Sequence, residues 1–170
     1  MDLDLARVFA AVGAFLAGAG VVSSWVATLV GAVLMYVGVL EFLGRLGDAR
    51  GDALSWLVYV IVASLAYTIA YSVAGFSISH LLWGTGLHGV ALAVAAAAWV
   101  VGWVFQLASA YRFRRVLDTL ARGTGEEVFK TADKLYWWGS ASAVVVVGIV
   151  LLFVAYILLG VGFLTAKIRG

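Results

Sequence analysis

The chain carries two histidines, His80 and His88, and both fall in one uncharged stretch, GFSISHLLWGTGLHG, from Gly75 to Gly89. Imidazole is a ligand for transition metals and for haem iron. Gly84 and Gly86 between the two rings would let them converge on one ion. A protein metal site draws on thiolates, carboxylates or further histidines, whereas the neighbours here offer only Ser77, Ser79 and Thr85. The competing reading is an interfacial turn, with His80 and Trp83 at headgroup level where amphipathic rings settle. His80 and His88 therefore stand as candidate cofactor ligands of a membrane redox subunit, beside a reading that needs neither metal nor haem. No cofactor is expected.

Other chemistry is scarcer still. The chain has no cysteine, which removes disulfides, thiolate metal sites and cysteine nucleophiles. It shows no G-x-S-x-G, no glycine-rich phosphate loop and no paired carboxylates facing a cavity, so no catalytic residue is assigned and an enzyme is not expected. Gln106 is the sole strongly polar side chain deep in an apolar run, and burying it without a partner would be costly. A stripe of Ser64, Tyr67, Thr68 and Tyr71 lies upstream at helical spacing and is its candidate partner. The two sets together would line a path for a small uncharged or lipid-like solute, or else close on each other as packing.

The elements that must position these groups are membrane helices. Of the 170 residues 65% are hydrophobic and 12% charged, against about half and about a quarter in a soluble domain. Residues 8–40, 53–111 and 135–166 contain no Asp, Glu, Lys or Arg, and about 20 such residues cross the hydrocarbon core. The fold class is an all-α polytopic transmembrane bundle in one integral domain. A β-barrel would alternate polar and apolar positions, and VALAVAAAAWVVGWVF does not.

The central run divides at the histidine stretch into helices over 53–73 and 88–111. Each outer run is either a hairpin of two short helices or one long tilted helix, giving six or four segments. The hairpin reading is preferred, because it gathers all 11 Lys and Arg on one face of the bilayer, which the positive-inside rule makes the cytoplasmic one. Both termini and the 111–134 segment are then cytoplasmic, with outer turns near Gly18–Trp25 and Gly148. A match between GAVLMYVGVL, from Gly31, and AYILLGVGFL, from Ala155, points the same way.

Within 111–134, Thr124-Gly-Glu-Glu127 has the form of a capping box, which predicts a helix start at Thr124. Arg112, Arg114 and Arg115 read as interfacial anchors or as a headgroup site. The net charge of +2, split among loops, implies no nucleic-acid partner. Absence of Asn and Cys, with one Gln, is a pattern of proteins from hot sources.

The segment VLDTLARGTGEEVFKTADKLYWWGSAS, Val116 to Ser142, resembles the family known as domain of unknown function 996, small archaeal and bacterial membrane proteins. The likeness rests on Leu120, Ala121, Gly125, Phe129, Thr131, Ala132, Leu135, Tyr136 and Gly139. It implies a multi-span membrane protein and carries over no activity and no catalytic residue. The paired Trp137 and Trp138 depart from its pattern.

Ala91, Ala95, Ala98 and Gly102 recur at steps of four, three and four, with Gln106 continuing the face. Small residues let helix backbones approach where lipid is as apolar as leucine. The seam suggests assembly, as a homo-oligomer or as a subunit of a larger membrane complex in contact with lipid. No ionisable group lies inside a span, which argues against proton-coupled transport.

Overall fold

In a computed structural model the described residues are 2–47, 49–81, 88–143 and 145–168; the side chains of 78–81, 88 and 146 are not described. They form six helices: α1 Leu3–Ser23, α2 Trp25–Leu46, α3 Arg50–Leu81, α4 His88–Thr124, α5 Glu127–Ala141 and α6 Val146–Thr165. All except α5 are long and apolar enough to cross a membrane. At 1.5 Å per residue α5 is only about 22 Å long.

The first outer run is a hairpin broken at Ser24, whose backbone is extended (φ −164°, ψ 124°). Its two arms touch through glycine. A methyl group on Gly13 would lie 2.6 Å from the Gly31 carbonyl oxygen, and one on Gly20 would lie 2.6 Å from Thr28 Oγ1. Gly31 and Gly38 return the contact, against Ala17 and Ala10. The seven-residue spacing of Gly13 with Gly20, and of Gly31 with Gly38, keeps all four on the shared seam.

The last apolar run is also a hairpin, but its break falls at 142–145 and not at Gly148. Gly148 lies in the first turn of α6, and a side chain there would strike the backbone of Ser142 and Ala143. It is the floor beneath the turn. The central helices also outrun their expected limits. α3 continues through Gly75 to Leu81 and α4 runs on to Thr124, so Gly75 does not break the helix and 111–122 is the lower part of the same rod. One open glycine costs a helix only about 1 kcal/mol; residues 82–87 lie outside the described part.

The expected capping box is not formed. Thr124 is the last residue of α4, its hydroxyl donating to Leu120 O at 2.8 Å and accepting from the Glu126 N–H at 3.3 Å. The turn follows at Gly125, whose φ of 73° suits glycine. α5 then starts at Glu127 without a side-chain cap.

Contacts fix the heights. Leu46 packs on Gly123, Gly162 on Val128 and Phe129, and Trp56 on Phe113 at 4.5 Å. Arg7, Arg45, Arg50, Arg112, Lys130 and Lys167 therefore gather toward one end of the bundle. Toward the other, Trp25 stacks on Tyr67 at 4.3 Å, and Trp103 Nε1 donates to Ser140 O at 3.2 Å. Both hairpin tips thus end about halfway along α3, and α3 and α4 project about 20 Å beyond them.

Gly31→Ala should lower stability in detergent by about 2 kcal/mol or more, because overpacking against backbone cannot relax. Gly51→Ala, which faces open space, should be neutral or up to about 1 kcal/mol more stable. Equal melting temperatures for the two variants would show that α1 and α2 are not in glycine contact.

Candidate functional site

The densest polar constellation lies inside the bundle, where α3 to α6 meet. Tyr136 of α5, 1% exposed, has its hydroxyl 3.4 Å from Trp56 Nε1, Gln106 Nε2, Ser109 Oγ and Tyr156 Oη. Gln106 Nε2 also donates to Ser140 Oγ at 3.3 Å, and Ser109 donates to Gln106 O at 2.7 Å. A phenol oxygen accepts two bonds and donates one, so at most three of the four contacts are made at once. Phe113 and Tyr156 pack edge-on against the Tyr136 ring at 5.3 and 5.5 Å.

Gln106 accordingly pairs with α5, not with the stripe on α3. That stripe divides: Ser64 and Tyr67 are buried, while Thr68 and Tyr71 face outward. The Tyr67 ring lies against Gly102, 3.0 Å from where a Cβ would stand, and edge-on to Trp99; its hydroxyl has no partner among the described residues. The seam of Ala91, Ala95, Ala98, Gly102 and Gln106 is thus the face of α4 turned into the bundle. Ala95 and Gln106 are buried, and Ala91 and Ala98 half-buried.

A family model described as "Protein of unknown function (DUF996)" matches residues 27–157. The chain belongs to this family. No curated protein and no solved structure matches it. Of the DUF996 residues noted in the sequence, Tyr136 is the centre of the hub, Gly139 meets Leu152 of α6, Phe129 packs edge-on to Phe163 at 5.3 Å, and Gly125 makes the turn between α4 and α5.

An ionic belt lies below the hub. Asp52 pairs with Arg112 at 3.1 Å and Arg115 at 3.7 Å, joining α3 to α4, and Arg114 meets Asp133 of α5 at 3.3 Å. Burial pushes the Asp133 carboxyl up, and the opposing pull of Arg114 does not cancel it. Arg114, Lys130 and Lys134 line a cavity there with Asp118 and Asp133, and the arginines are largely engaged by acids.

The side chains of His80 and His88, the candidate cofactor ligands, lie outside the described residues. Among the described residues no group of three or more His, Asp or Glu could hold a metal. The groove that sequence reasoning missed is at the α1–α2 tip, where Thr68, Tyr71 and Ser72 of α3 face Ser23 and Ser24. The polar stripe supplied Thr68 and Tyr71, but composition gave no signal for the groove as a whole, because its walls come from four separate helices.

Tyr136→Phe should cost about 1–3 kcal/mol, since Trp56 Nε1 and the Tyr156 hydroxyl would be left buried and unpaired. Tyr111→Phe, 54% exposed, should change little; thermal unfolding in detergent compares the two. Asp133→Asn tests the belt. Because burial raises the folded-state pKa of this acid, its neutral form is the favoured one. That stabilisation is complete below the unfolded-state value of about 3.9 and is lost as pH rises through the folded-state value. The variant should melt above wild type at neutral pH, and the gap should close in acid. A variant that melts lower at neutral pH would show that the pair with Arg114 outweighs burial.

Proposed function

We propose that the protein is a non-catalytic assembly unit of the membrane, pairing with a second copy of itself through the outer face of α4. One observation carries this reading. Gly89, Ala93 and Ala97 recur at steps of four on α4 and are all exposed, with Val100 and Val104 continuing the face at 52% exposure each. Among the described residues nothing lies within 4 Å of a methyl group built on Gly89.

The seam legible in the sequence is on the opposite side of α4, occupied by α3, so the pairing surface is moved here. Small residues at four-residue spacing allow close backbone approach, where van der Waals packing drives association in lipid. A two-fold axis along the membrane normal would bring the same face of each copy together. On the positive-inside rule the charged end faces the cytoplasm.

The chain has no cysteine, so single cysteines report contacts without background. Ala97→Cys should give an oxidised dimer, while Val161→Cys, exposed on α6 at 43%, should not. The detergent-corrected mass should be twice the 17.9 kDa of one chain. A monomeric mass, or equal cross-linking at both positions, would reject the reading.

A further inference from the structure

We infer that the groove at the α1–α2 tip binds the head of an uncharged, glycerol-type lipid. The groove encloses about 530 Å³, within the roughly 300–1,000 Å³ of ordinary ligand sites. Its polar side chains are the hydroxyls of Ser23, Ser24, Thr68, Tyr71 and Ser72 together with the indole of Trp25, none of them charged. Ser23 and Thr68 each donate to a carbonyl of their own helix at 2.8 Å, which leaves their oxygens as acceptors. Ser24, the N-cap residue of α2, makes no side-chain cap bond, so the first N–H groups of α2 lack that acceptor.

These groups suit a head that both donates and accepts without carrying charge. None of the described lining residues is charged, and an ion placed there would be desolvated without a counter-charge. An ammonium head meets no opposing charge there and a phosphate head only the partial charge of the α2 N-terminus, whereas vicinal hydroxyls and an ether or ester oxygen match the lining. Val22 and Val26, exposed at 62% and 59%, flank the groove and lead outward along an apolar surface that a lipid chain can follow. The groove draws on α1, α2, α3 and α6 and not on α4, so it is independent of the pairing face.

The test is titration of delipidated protein with monoolein, with bound copies counted by native mass spectrometry. The matched arm uses lysophosphatidylglycerol bearing the same oleoyl chain. Monoolein should bind saturably at one per chain, and the anionic lipid at least about tenfold more weakly, as expected of a head desolvated without a partner. Replacing Thr68→Val together with Ser72→Ala keeps the shape and removes two hydroxyls; it should weaken monoolein about tenfold. Tyr71→Phe, at an exposed position that leaves the core untouched, should weaken it about threefold. Ala97→Phe, on the pairing face, should bind as wild type even if it is monomeric. Absence of saturable binding, equal affinity for both heads, or variants that bind like wild type would overturn the inference.

Discussion

Four helices depend on one oxygen, the hydroxyl of Tyr136. α5 is too short to cross the membrane and cannot be held as a span is held, by its own length in hydrocarbon. Its upper half is fixed by what it touches: Trp56 of α3, Gln106 and Ser109 of α4, and Tyr156 of α6 all reach Tyr136. In lipid there is no water to take over a lost bond, so these groups either meet each other or stand unpaired. Hydrogen bonds between membrane helices average well below 1 kcal/mol. The cluster matters because it is shared, and losing its centre strands Trp56 and Tyr156 at once.

The other half of the bundle is held by the opposite means. α1 and α2 meet through Gly13, Gly20, Gly31 and Gly38, where the absence of side chains brings backbones together and dispersion does the work. α6 joins the two regimes. Tyr156 donates into the polar cluster through its hydroxyl, while its Cβ would lie 3.0 Å from a methyl on Gly18 of α1. A change at the hub can therefore be felt at the glycine interface through one side chain.

This division explains what the sequence disclosed. Apolar runs and charge gaps give the helical membrane class and the first hairpin, because both follow from transfer of residues into lipid. They misplace α5, whose first half carries Glu127, Lys130, Asp133 and Lys134 while its second half is apolar. A boundary drawn by composition cuts that helix at Leu135. Periodicity puts Ala91 to Gln106 on one face but cannot name the partner: the seam meets Tyr67 at Gly102, while Gln106 reaches α5. The outer small-residue face at Gly89, Ala93 and Ala97 was equally written in the chain. It becomes distinguishable only once α3 is seen to cover the other side.

Heights add a constraint that no single helix reveals. On α4 the charges climb to Arg112, which is about 18 Å above Thr124. On α6 no charge occurs between Val146 and Thr165, although Gly162 lies beside Val128 of the charged half of α5. The boundary between charged and apolar surface therefore crosses the bundle obliquely, low on α6 and high on α4. Over two interaxial spacings of about 10 Å, a rise of about 18 Å corresponds to a slope of about 40°, at the upper end of the range for membrane helices. Arg112, Arg114 and Arg115 lessen the tilt required, because their long side chains reach back toward water. A bundle inclined this way lifts the tip of α1 and α2 toward the far headgroup layer, although that tip stands only halfway up α3. In a bundle so inclined the hydroxyls of Ser23, Ser24, Tyr71 and Ser72 would lie where apolar chains give way to polar heads, the one depth at which the groove proposed for a lipid head is neither flooded by water nor stranded in hydrocarbon.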